Sequence, residues 1–323
     1  MLYTMKLSIG PIQYFWDRRR VLDFYQQAAD SSAEIIYLGE VICSKRREVK
    51  SEDWLAIGNE LKQSGKEVIL SSLTLLEAAS EMGSLKKLCR NESFMVEAND
   101  VSAVQLLSAA GKNFVTGPSF NIYNGRSLRL LASKGLKRWV LPVELGLETL
   151  KDLQALRPAG LETEVFALGR LPLAYSARCY TARSHNLPKD DCQFKCLDYP
   201  DGRLLETQEG QGFLVLNGIQ TQSALTHQVL EQLPELKALG VDVLRISPQY
   251  SGTLRIINIF DAARKGKELG PLGEELLGLL PLGACNGYLV DKPGMDYSGP
   301  VNTCQVTALP ALAEVADVTQ QAV

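Results

Sequence analysis

Cysteine is the residue type whose number and spacing in this sequence best suit chemistry. Three of the seven cysteines, Cys179, Cys192 and Cys196, follow one another in the pattern C-x12-C-x3-C. Cys43 lies far upstream, but like Cys179 it follows a predicted strand, so both are expected on the same face of the fold. Four thiolates that converge from loops can hold either a [4Fe–4S] cluster or a tetrahedral zinc ion.

The residues around these cysteines are basic, which bears on the ionisation of their thiols. Lys45, Arg46 and Arg47 follow Cys43 closely, and further lysines and arginines flank the other three cysteines. Cations lower the pKa of a thiol and offset the negative charge of a tetrathiolate cluster. The same composition also fits a solvated charged segment whose cysteines only pack.

The spacing argues against two familiar metal-binding patterns. A zinc ribbon normally has two close cysteine pairs, and here only Cys192 and Cys196 are close, with three residues between them. A radical-SAM motif would need a further cysteine where this chain has Tyr199. Cys285, in a predicted loop, is the strongest substitute ligand, and His185 is a spare one.

The remaining cysteines and the histidines limit other kinds of catalysis. Cys89 lies in a helical pattern and is predicted to pack in the core, whereas Cys304 lies in a weakly patterned tail. With only His185 and His227 in the chain, a histidine-based triad or a histidine-ligated catalytic metal must use one of them. His227 falls in a predicted helix. No dinucleotide-binding or P-loop motif occurs, so nucleotide use is unsupported.

The composition excludes several classes of protein. The chain has 323 residues, of which 46% are hydrophobic and 22% charged, so it is not mainly disordered. Its net charge of -3 provides no global attraction for nucleic acid or anionic lipid, and we predict no nucleic-acid partner. Because neither a membrane span nor a secretory signal is recognisable, we expect a cytoplasmic protein with reduced thiols.

Short apolar runs alternate with helical patterns along most of the chain. The predicted strands are Leu7–Gly10, Glu34–Leu38, Glu67–Ser71, Phe94–Ala98, Asn113–Thr116, Trp139–Val143, Thr163–Leu168 and Asp242–Ile246. Eight parallel strands with helices between them predict an α/β fold, a TIM-barrel-like (β/α)8 domain. The same pattern also permits an open doubly wound sheet.

A cysteine-bearing insertion interrupts this alternation after strand seven. Within it, Leu204–Gly218 predicts a β-hairpin and Ser223–Leu239 a helical stretch that leads to strand eight. We therefore predict a single barrel domain over residues 1–290 that includes the insertion at 171–240. Residues 291–323 are predicted to form a loosely ordered C-terminal tail.

Polar residues that could contact a substrate follow the predicted strands. In either architecture the reactive face lies beyond the carboxyl ends of the strands. The low-specificity candidates there are Glu40, Asn121, Asn124, Glu144 and Arg170. Each of them fits equally well as an ordinary loop residue or helix cap.

Longer motifs carry a resemblance to a known family. They are Tyr37–Glu40 with Cys43–Arg47, Leu171–Arg183, Pro188–Cys192 with Cys196, Leu216–Thr221 and Cys285–Tyr288. Together they closely resemble the UbiV branch of the collagenase-like U-type peptidase family, over about residues 5–290.

The resemblance implies a TIM-barrel-like fold and one [4Fe–4S] cluster whose ligands are Cys43, Cys179, Cys192 and Cys196. It also implies a heterodimer with a UbiU-like sister protein, a UbiT-like lipid-binding accessory protein, and ubiquinone precursors as the molecules acted on. The implied function is oxygen-independent hydroxylation in ubiquinone biosynthesis. Two alternatives remain open, namely a non-catalytic partner with a structural cluster and a peptidase, although the sequence has no serine-histidine or zinc-protease signature.

Overall fold

Eight parallel strands form a closed barrel in this protein, for which a computed structural model describes residues 5–299. Numbered along the chain, the strands inside and outside the barrel are β1 (Lys6–Ile9), β2 (Ile35–Leu38), β3 (Glu67–Ser71), β4 (Met95–Ala98), β5 (Phe114–Thr116), β6 (Leu136–Val140), β7 (Glu162–Tyr175), β8 (Arg203–Glu206), β9 (Gly212–Asn217), β10 (Gln220–Gln228), β11 (Val243–Ile246) and β12 (Ala284–Cys285). Strands β1 to β7 pair in order, and β11 pairs with both β7 and β1, which closes the barrel. The TIM-barrel prediction is confirmed, and the open-sheet alternative is wrong.

Helices cover the outside of the barrel. They are α1 (Arg18–Ala29), α2 (Ser51–Gln63), α3 (Ala79–Arg90), α4 (Val101–Ala109), α5 (Gly125–Ser133), α6 (Leu147–Ala155), α7 (Tyr180–Arg183), α8 (Leu233–Ala238), α9 (Thr253–Arg264) and α10 (Leu269–Leu277). In α1, Val21, Phe24, Tyr25 and Ala28 recur at helical spacing and are all buried. The side chain of Asp17 accepts a hydrogen bond from the backbone N–H of Arg20, which fixes where this helix begins.

The interior of the barrel combines apolar and charged side chains. Because side chains alternate along a strand, Tyr37 on β2, Glu164 on β7 and Arg245 on β11 all point inward. The Arg245 guanidinium donates to Glu164 at 3.0 Å and to Glu97 on β4 at 2.7 Å, and these three charged side chains are almost completely buried. The Tyr37 hydroxyl also donates to Glu164, at 2.5 Å. A hydrogen-bonded network of buried side chains therefore connects β2, β4, β7 and β11 across the interior of the barrel.

The insertion after the seventh barrel strand is mostly an antiparallel sheet. Strand β7 continues past the barrel to Tyr175 and pairs with β10, which pairs with β9, which pairs with β8. The predicted hairpin over Leu204–Gly218 is confirmed by β8 and β9.

The predicted helix over Ser223–Leu239 is wrong in its first half, where the chain forms β10. Burial alternates along most of that strand, as pairing with a buried neighbour requires, and the helix is confined to α8 and a preceding 3-10 turn at Leu230–Gln232. His227 consequently lies on a strand and not on a helix, as a partner of Gly169 on β7.

Residues 291–299, at the start of the predicted tail, contact the end of the barrel domain. The backbone N–H groups of Asn286 and Gly287 both donate to the carbonyl of Asp296 at 2.9 Å, and the Asn286 side chain accepts from Ser298 N–H. The rest of the predicted tail, including Cys304, lies outside the described residues. Among the residues that the structure describes, no helix is long and apolar enough to cross a membrane.

Candidate functional site

The four predicted cysteine ligands come from loops and short turns at one end of the barrel. Cys43 follows β2, and Cys179 is the N-cap of the short helix α7. Cys192 ends the 3-10 turn Lys189–Asp191, and Cys196 lies in the 3-10 turn Lys195–Asp198. All four side chains are partly exposed, whereas Cys89 and Cys285 are buried.

The short segment between Cys192 and Cys196 bends sharply. Gln193 and Phe194 both adopt left-handed backbone conformations, with φ of 48° and 50°. Such a conformation costs on the order of 1–3 kcal/mol for a residue other than glycine, so the surrounding structure must compensate for it. Phe194 makes one such contact, because its ring packs against the ring of Phe15 with centroids 5.9 Å apart. The bend keeps both cysteines of the pair beside the barrel.

The thiols lie close enough to influence one another electrostatically. Burial raises the pKa of the Cys43 thiol, and the nearby Cys179 thiol raises it further. Burial likewise raises the pKa of Cys196, with smaller contributions from Cys43 and Cys179. The structure also packs Cys43 and Cys179 against the same small apolar cluster, formed by Val41, Ile42 and Ile219. These cysteines, distant in sequence, therefore share one site.

Arg46 is a buried cation that interacts with two of these thiols, those of Cys43 and Cys196. Its side chain is only 2% exposed, and it opposes the upward pKa shifts of both Cys43 and Cys196. The guanidinium donates to the carbonyl of Gln13 at 2.7 Å and to the side chain of Asn217 at 2.8 Å, while its Nε atom is buried without a hydrogen-bond partner. A buried positive charge beside thiols favours their thiolate forms.

Two lysines connect the loop of Cys43 to the segment of Cys192. The Lys45 ammonium donates to the carbonyl of Lys189 at 2.9 Å and to the carboxylate of Asp190 at 3.0 Å. Lys189 in turn donates to the carboxylate of Glu77 and to the carbonyl of Ala177. The insertion is thus held against the barrel loops by contacts directly beside the cysteines.

The other predicted site residues do not gather around the cysteines, with the exception of Glu40. Glu40 accepts hydrogen bonds from the backbone N–H groups of Ile42 and Cys43, at 2.8 and 3.0 Å. Asn124 is the N-cap of α5, so its side chain is used in hydrogen bonds to the start of that helix. Asn121 is exposed. Glu144 accepts from the hydroxyl of Tyr123 at 2.9 Å, and Arg170 donates to backbone carbonyls of Asp201 and Ala224.

Both spare ligands make other contacts. Cys285 lies on β12 and packs against Phe166 and Leu171, in a different apolar cluster from Cys43 and Cys179. His185 forms a hydrogen bond through its Nε2 atom with the hydroxyl of Tyr199, at 3.1 Å. Cys89 is buried in the main core, in agreement with its predicted packing role.

Sequence reasoning missed a group of aromatic residues next to the site. Tyr14, Phe15 and Trp16 follow β1, and together with Trp54 on α2 they line a pocket that also includes Glu40 and Arg46. The signal was available in part, because three consecutive aromatic residues stand in the loop that follows β1. The contribution of Trp54 could not be read from its sequence position, because it depends on how α2 packs.

The arrangement of the four cysteines bears on which of two metal groups, a zinc ion or a [4Fe–4S] cluster, they could hold. Within residues 5–299, no three His, Cys, Asp or Glu side chains are arranged so that they could hold a single metal ion. The arrangement is therefore not a preformed tetrahedral zinc site, in which all ligands meet around one atom. A [4Fe–4S] cluster binds each thiolate through a different iron, so its four ligands need not meet around one atom.

Fold and site together define a TIM barrel with a cysteine-bearing insertion at the carboxyl end of its strands. A model of peptidase family U32 matches residues 20–269, and the chain belongs to this family.

Solved structures of low sequence identity resemble this chain. The U32 peptidase Mk0906 is 11% identical with a TM-score of 0.43, over 77% of this chain and 95% of that one. N-acetylneuraminate lyase from Aliivibrio salmonicida is 11% identical with a TM-score of 0.46, over 86% and 80%. The corresponding lyase from Fusobacterium nucleatum is also 11% identical, with a TM-score of 0.45 over 85% and 82%.

Proposed function

We propose that Cys43, Cys179, Cys192 and Cys196 hold a [4Fe–4S] cluster. The observation that carries this proposal is that the partly exposed thiols of Cys43, Cys179 and Cys196, from separate loops, interact electrostatically, with the buried cation Arg46 beside Cys43 and Cys196. Burial favours the protonated thiols in the metal-free site. Binding of the cluster would replace those protons with iron. Arg46 would then offset part of the negative charge of the bound cluster.

We further propose that the chain is the iron–sulfur subunit of an oxygen-independent hydroxylation system in ubiquinone biosynthesis. The support is the resemblance of its cysteine motifs to UbiV, within the U32 family to which the chain belongs. A cluster with four cysteine ligands has no open iron position, so it would supply electron transfer or structural support rather than direct activation of a substrate. The proposed partners are a UbiU-like sister protein in a heterodimer, a UbiT-like accessory protein and ubiquinone precursors.

A peptidase is the second candidate function, because the family model carries that name. The structure does place a cysteine beside a histidine, since Cys285 and His227 are register partners on β12 and β10. However, burial raises the pKa of Cys285 to about 12 and lowers that of His227 to about 4. Both groups are therefore neutral near pH 7, whereas a catalytic pair needs a thiolate or a base that accepts its proton. This pair does not favour peptidase chemistry.

The cluster is tested by purifying the protein without oxygen. We expect brown protein with about four iron and four sulfide per chain, as a cubane requires. Cys196→Ser and Cys179→Ser are expected to lose the cluster, whereas the matched variant Cys89→Ser, at a buried core cysteine, retains it. Stoichiometric zinc without labile sulfide would overturn the proposal, as would retention of the cluster by Cys196→Ser.

The biological role is tested in cells and with the sister protein. Deleting the gene should lower ubiquinone in anaerobic cultures and leave aerobic levels near normal, because hydroxylases that use O₂ replace the proposed system in air. An equal aerobic defect would contradict an oxygen-independent role.

The heterodimer and the peptidase alternative each have a direct test. Co-expressed with the UbiU-like protein, the chain should elute from a sizing column as a one-to-one complex, and separate monomers would exclude the heterodimer. Cleavage of casein or gelatin by the purified chain would favour the peptidase.

A further inference from the structure

An open groove of about 430 Å³ lies at the amino ends of β6 and β7. It is bounded by the last turns of α5, by the start of β6 and by the turn at residues 158–161. Small-molecule sites in proteins have volumes of roughly 300–1,000 Å³. The groove therefore has room for a small organic ligand.

This groove lies at the end of the barrel opposite the cysteines. The barrel strands run parallel, and Cys43 follows the carboxyl end of β2. In contrast, Leu136 and Lys137 of the groove begin β6, and Leu161 directly precedes β7. A ligand in the groove is thus separate from the proposed cluster, and the inference goes beyond the proposed function without depending on it.

The part of the chain around the groove is rich in cations and lacks acidic residues. Residues 101–143 contain no Asp or Glu, although the whole chain has 37 acidic and 34 basic residues. The cations of this segment are Lys112, Arg126, Arg129, Lys134, Lys137 and Arg138. Lys112 and Arg138 form ion pairs with carboxylates elsewhere in the fold. None of the other four has an ion-pair partner among residues 5–299, so this face carries uncompensated positive charge.

Two of these cations line the groove from different elements. Arg129 on α5 and Lys137 on β6 are both exposed, and neither side chain donates a hydrogen bond within the described residues. Of the described residues that line the groove, none is acidic. A guanidinium can bind a carboxylate or a phosphate through two parallel hydrogen bonds, and an ammonium adds a compact charge. The two cations together favour an anionic ligand.

The turn before β7 adds neutral hydrogen-bond donors. The N–H group of Leu161 donates to the carbonyl of Pro158 at 3.2 Å, which closes the turn. The N–H groups of the two central residues, Ala159 and Gly160, have no acceptor within residues 5–299, and both residues line the groove. Backbone N–H groups of this kind commonly hold phosphate oxygens.

The carbonyl groups at the end of α5, which would disfavour an anion, are already hydrogen-bonded. The hydroxyl of Ser133 donates to the carbonyl of Leu130 at 2.7 Å, and the N–H of Lys134 donates to that of Leu131 at 2.9 Å. Lys134, the C-cap of the helix, also places a cation where the helix dipole is negative. The end of α5 therefore opposes an anion only weakly.

The charge and the lining of the groove restrict the ligand further. The apolar side chains that line it are Ala132, Leu136, Pro158, Ala159 and Leu161. They suit a short hydrocarbon group. One carboxylate needs only one cation, whereas a phosphate monoester carries a charge of about −1.5 to −2 at pH 7 and three acceptor oxygens. Two cations and the turn N–H groups match the phosphate better.

We propose that this groove binds a phosphate monoester, with the phosphate between Arg129 and Lys137 and a short apolar group against Leu136 and Leu161. Such a phosphate can belong to a soluble molecule or to a lipid headgroup, and the experiment distinguishes these sources.

Calorimetric titration of the anaerobically purified full chain with n-butyl phosphate, in a buffer without phosphate, provides the measurement. We expect saturable binding. Pentanoate, which has a similar body and a single charge, should bind at least about fivefold more weakly, because it leaves one cation without a partner. Butan-1-ol, which has no charge, should give no measurable binding. Binding of pentanoate as tight as that of n-butyl phosphate would overturn the assignment of a phosphate.

Variants locate the binding. Arg129→Gln and Lys137→Gln should each weaken n-butyl phosphate by at least about fivefold. The matched variant Arg126→Gln removes an exposed cation of the same helix that lies outside the groove, and it should leave binding within about twofold. All three side chains are exposed, so the variants are expected to fold. Equal effects of Arg129→Gln and Arg126→Gln would overturn the site.

Sedimentation with vesicles identifies the source of the phosphate. Phosphatidic acid presents a phosphate monoester as its headgroup, so vesicles of phosphatidylcholine with and without phosphatidic acid are compared. Binding that requires phosphatidic acid and is lost in Arg129→Gln would assign the groove to a lipid headgroup. Binding of n-butyl phosphate without binding to either vesicle would assign it to a soluble ligand. If neither n-butyl phosphate nor phosphatidic acid binds, the proposal is wrong.

Discussion

Arg46 shows how one residue connects the cysteine site with the rest of the protein. The acceptors of its guanidinium come from distant parts of the chain, because the carbonyl of Gln13 follows β1 and the side chain of Asn217 lies at the end of β9. Both neighbours of Arg46, Lys45 and Arg47, are more exposed. Arg46 therefore places a fixed charge beside the thiols that solvent screens only weakly.

We predict that Arg46→Met lowers the reduction potential of the proposed cluster and the iron retained per chain. Reduction adds negative charge, so removing a nearby buried cation disfavours the reduced state, by on the order of 60 mV for a tenfold change in the one-electron equilibrium. The matched variant Arg47→Met removes an exposed cation that donates only to the carbonyl of Ser44. Spectroscopic redox titration of both variants checks this, and equal potentials would show that burial of Arg46 has no such effect.

At the scale of elements, the turn between β9 and β10 fits the insertion sheet against the barrel loops. Gly218 has a φ of +62°, and its backbone N–H donates to the hydroxyl of Thr181 at 2.9 Å. A Cβ atom at this position would lie 2.9 Å from Nη2 of Arg46. The turn therefore needs glycine both for its backbone conformation and for the space that Arg46 occupies.

Gly218→Ala should lower the free energy of unfolding by about 2 kcal/mol or more and reduce iron retention. The left-handed conformation costs roughly 1–2 kcal/mol for alanine, and displacement of Arg46 adds to that. Gly210→Ala is a suitable control, because Gly210 has a φ of +79° but has open space where the Cβ atom would lie. Urea unfolding and iron analysis of both variants separate backbone strain from the clash. Equal losses of iron would mean that contact with Arg46 is unimportant.

The barrel elements were predictable from the sequence, because each strand is a short apolar run followed by a helical pattern. Glu67–Ser71 is predicted and observed with the same ends. Periodicity failed in the insertion, where Ser223–Gln228 combines residues that suit either a helix or a strand. Pairing with the extended part of β7, which local sequence does not encode, determines that this segment forms a strand.

The site was predictable only in part, for a related reason. Cys43 and Cys179 could be assigned to one face because both follow strands of the predicted barrel. The burial of Arg46 could not be predicted, because Lys45, Arg46 and Arg47 are equivalent cations in the sequence and only contacts with distant residues distinguish them. The cluster itself stays a prediction for all four cysteines.

At the scale of the whole molecule, the ion network on the barrel axis joins strands from opposite sides. Arg245 on β11 contacts Glu97 on β4 and Glu164 on β7, and its guanidinium stacks over the ring of Tyr37 at 4.0 Å. Burial alone would raise the pKa of Glu164, but Arg245, Arg138 and the hydrogen bond from Ser8 together hold that pKa below its usual value. Glu97 and Glu164 thus share the Arg245 guanidinium as their ion-pair partner.

We predict that Arg245→Met lowers the free energy of unfolding by about 3–5 kcal/mol, because it leaves buried carboxylates without their cation. Arg255→Met provides the comparison, since Arg255 pairs with Glu275 on the surface and is 61% exposed. Its loss should cost under about 1 kcal/mol. Urea unfolding near pH 7 measures both, and similar values for the two variants would contradict a structural role for the axial network.

His227 should make the stability of the whole fold depend on pH in a defined window. Burial on β10 lowers its pKa from 6.5 to about 4, so between these values the unfolded chain binds a proton that the folded chain does not. The contribution of His227 to stability is therefore complete above about pH 6.5 and falls as the pH drops towards 4. Between pH 7 and pH 5 this one residue lowers the free energy of unfolding by about 2 kcal/mol. We predict that His227→Gln removes that part of the loss, whereas His185→Gln, at a more exposed histidine, retains most of it. Urea unfolding at both pH values measures the difference, and an identical pH dependence in wild type and His227→Gln would show that the folded protein protonates His227 as readily as the unfolded chain does.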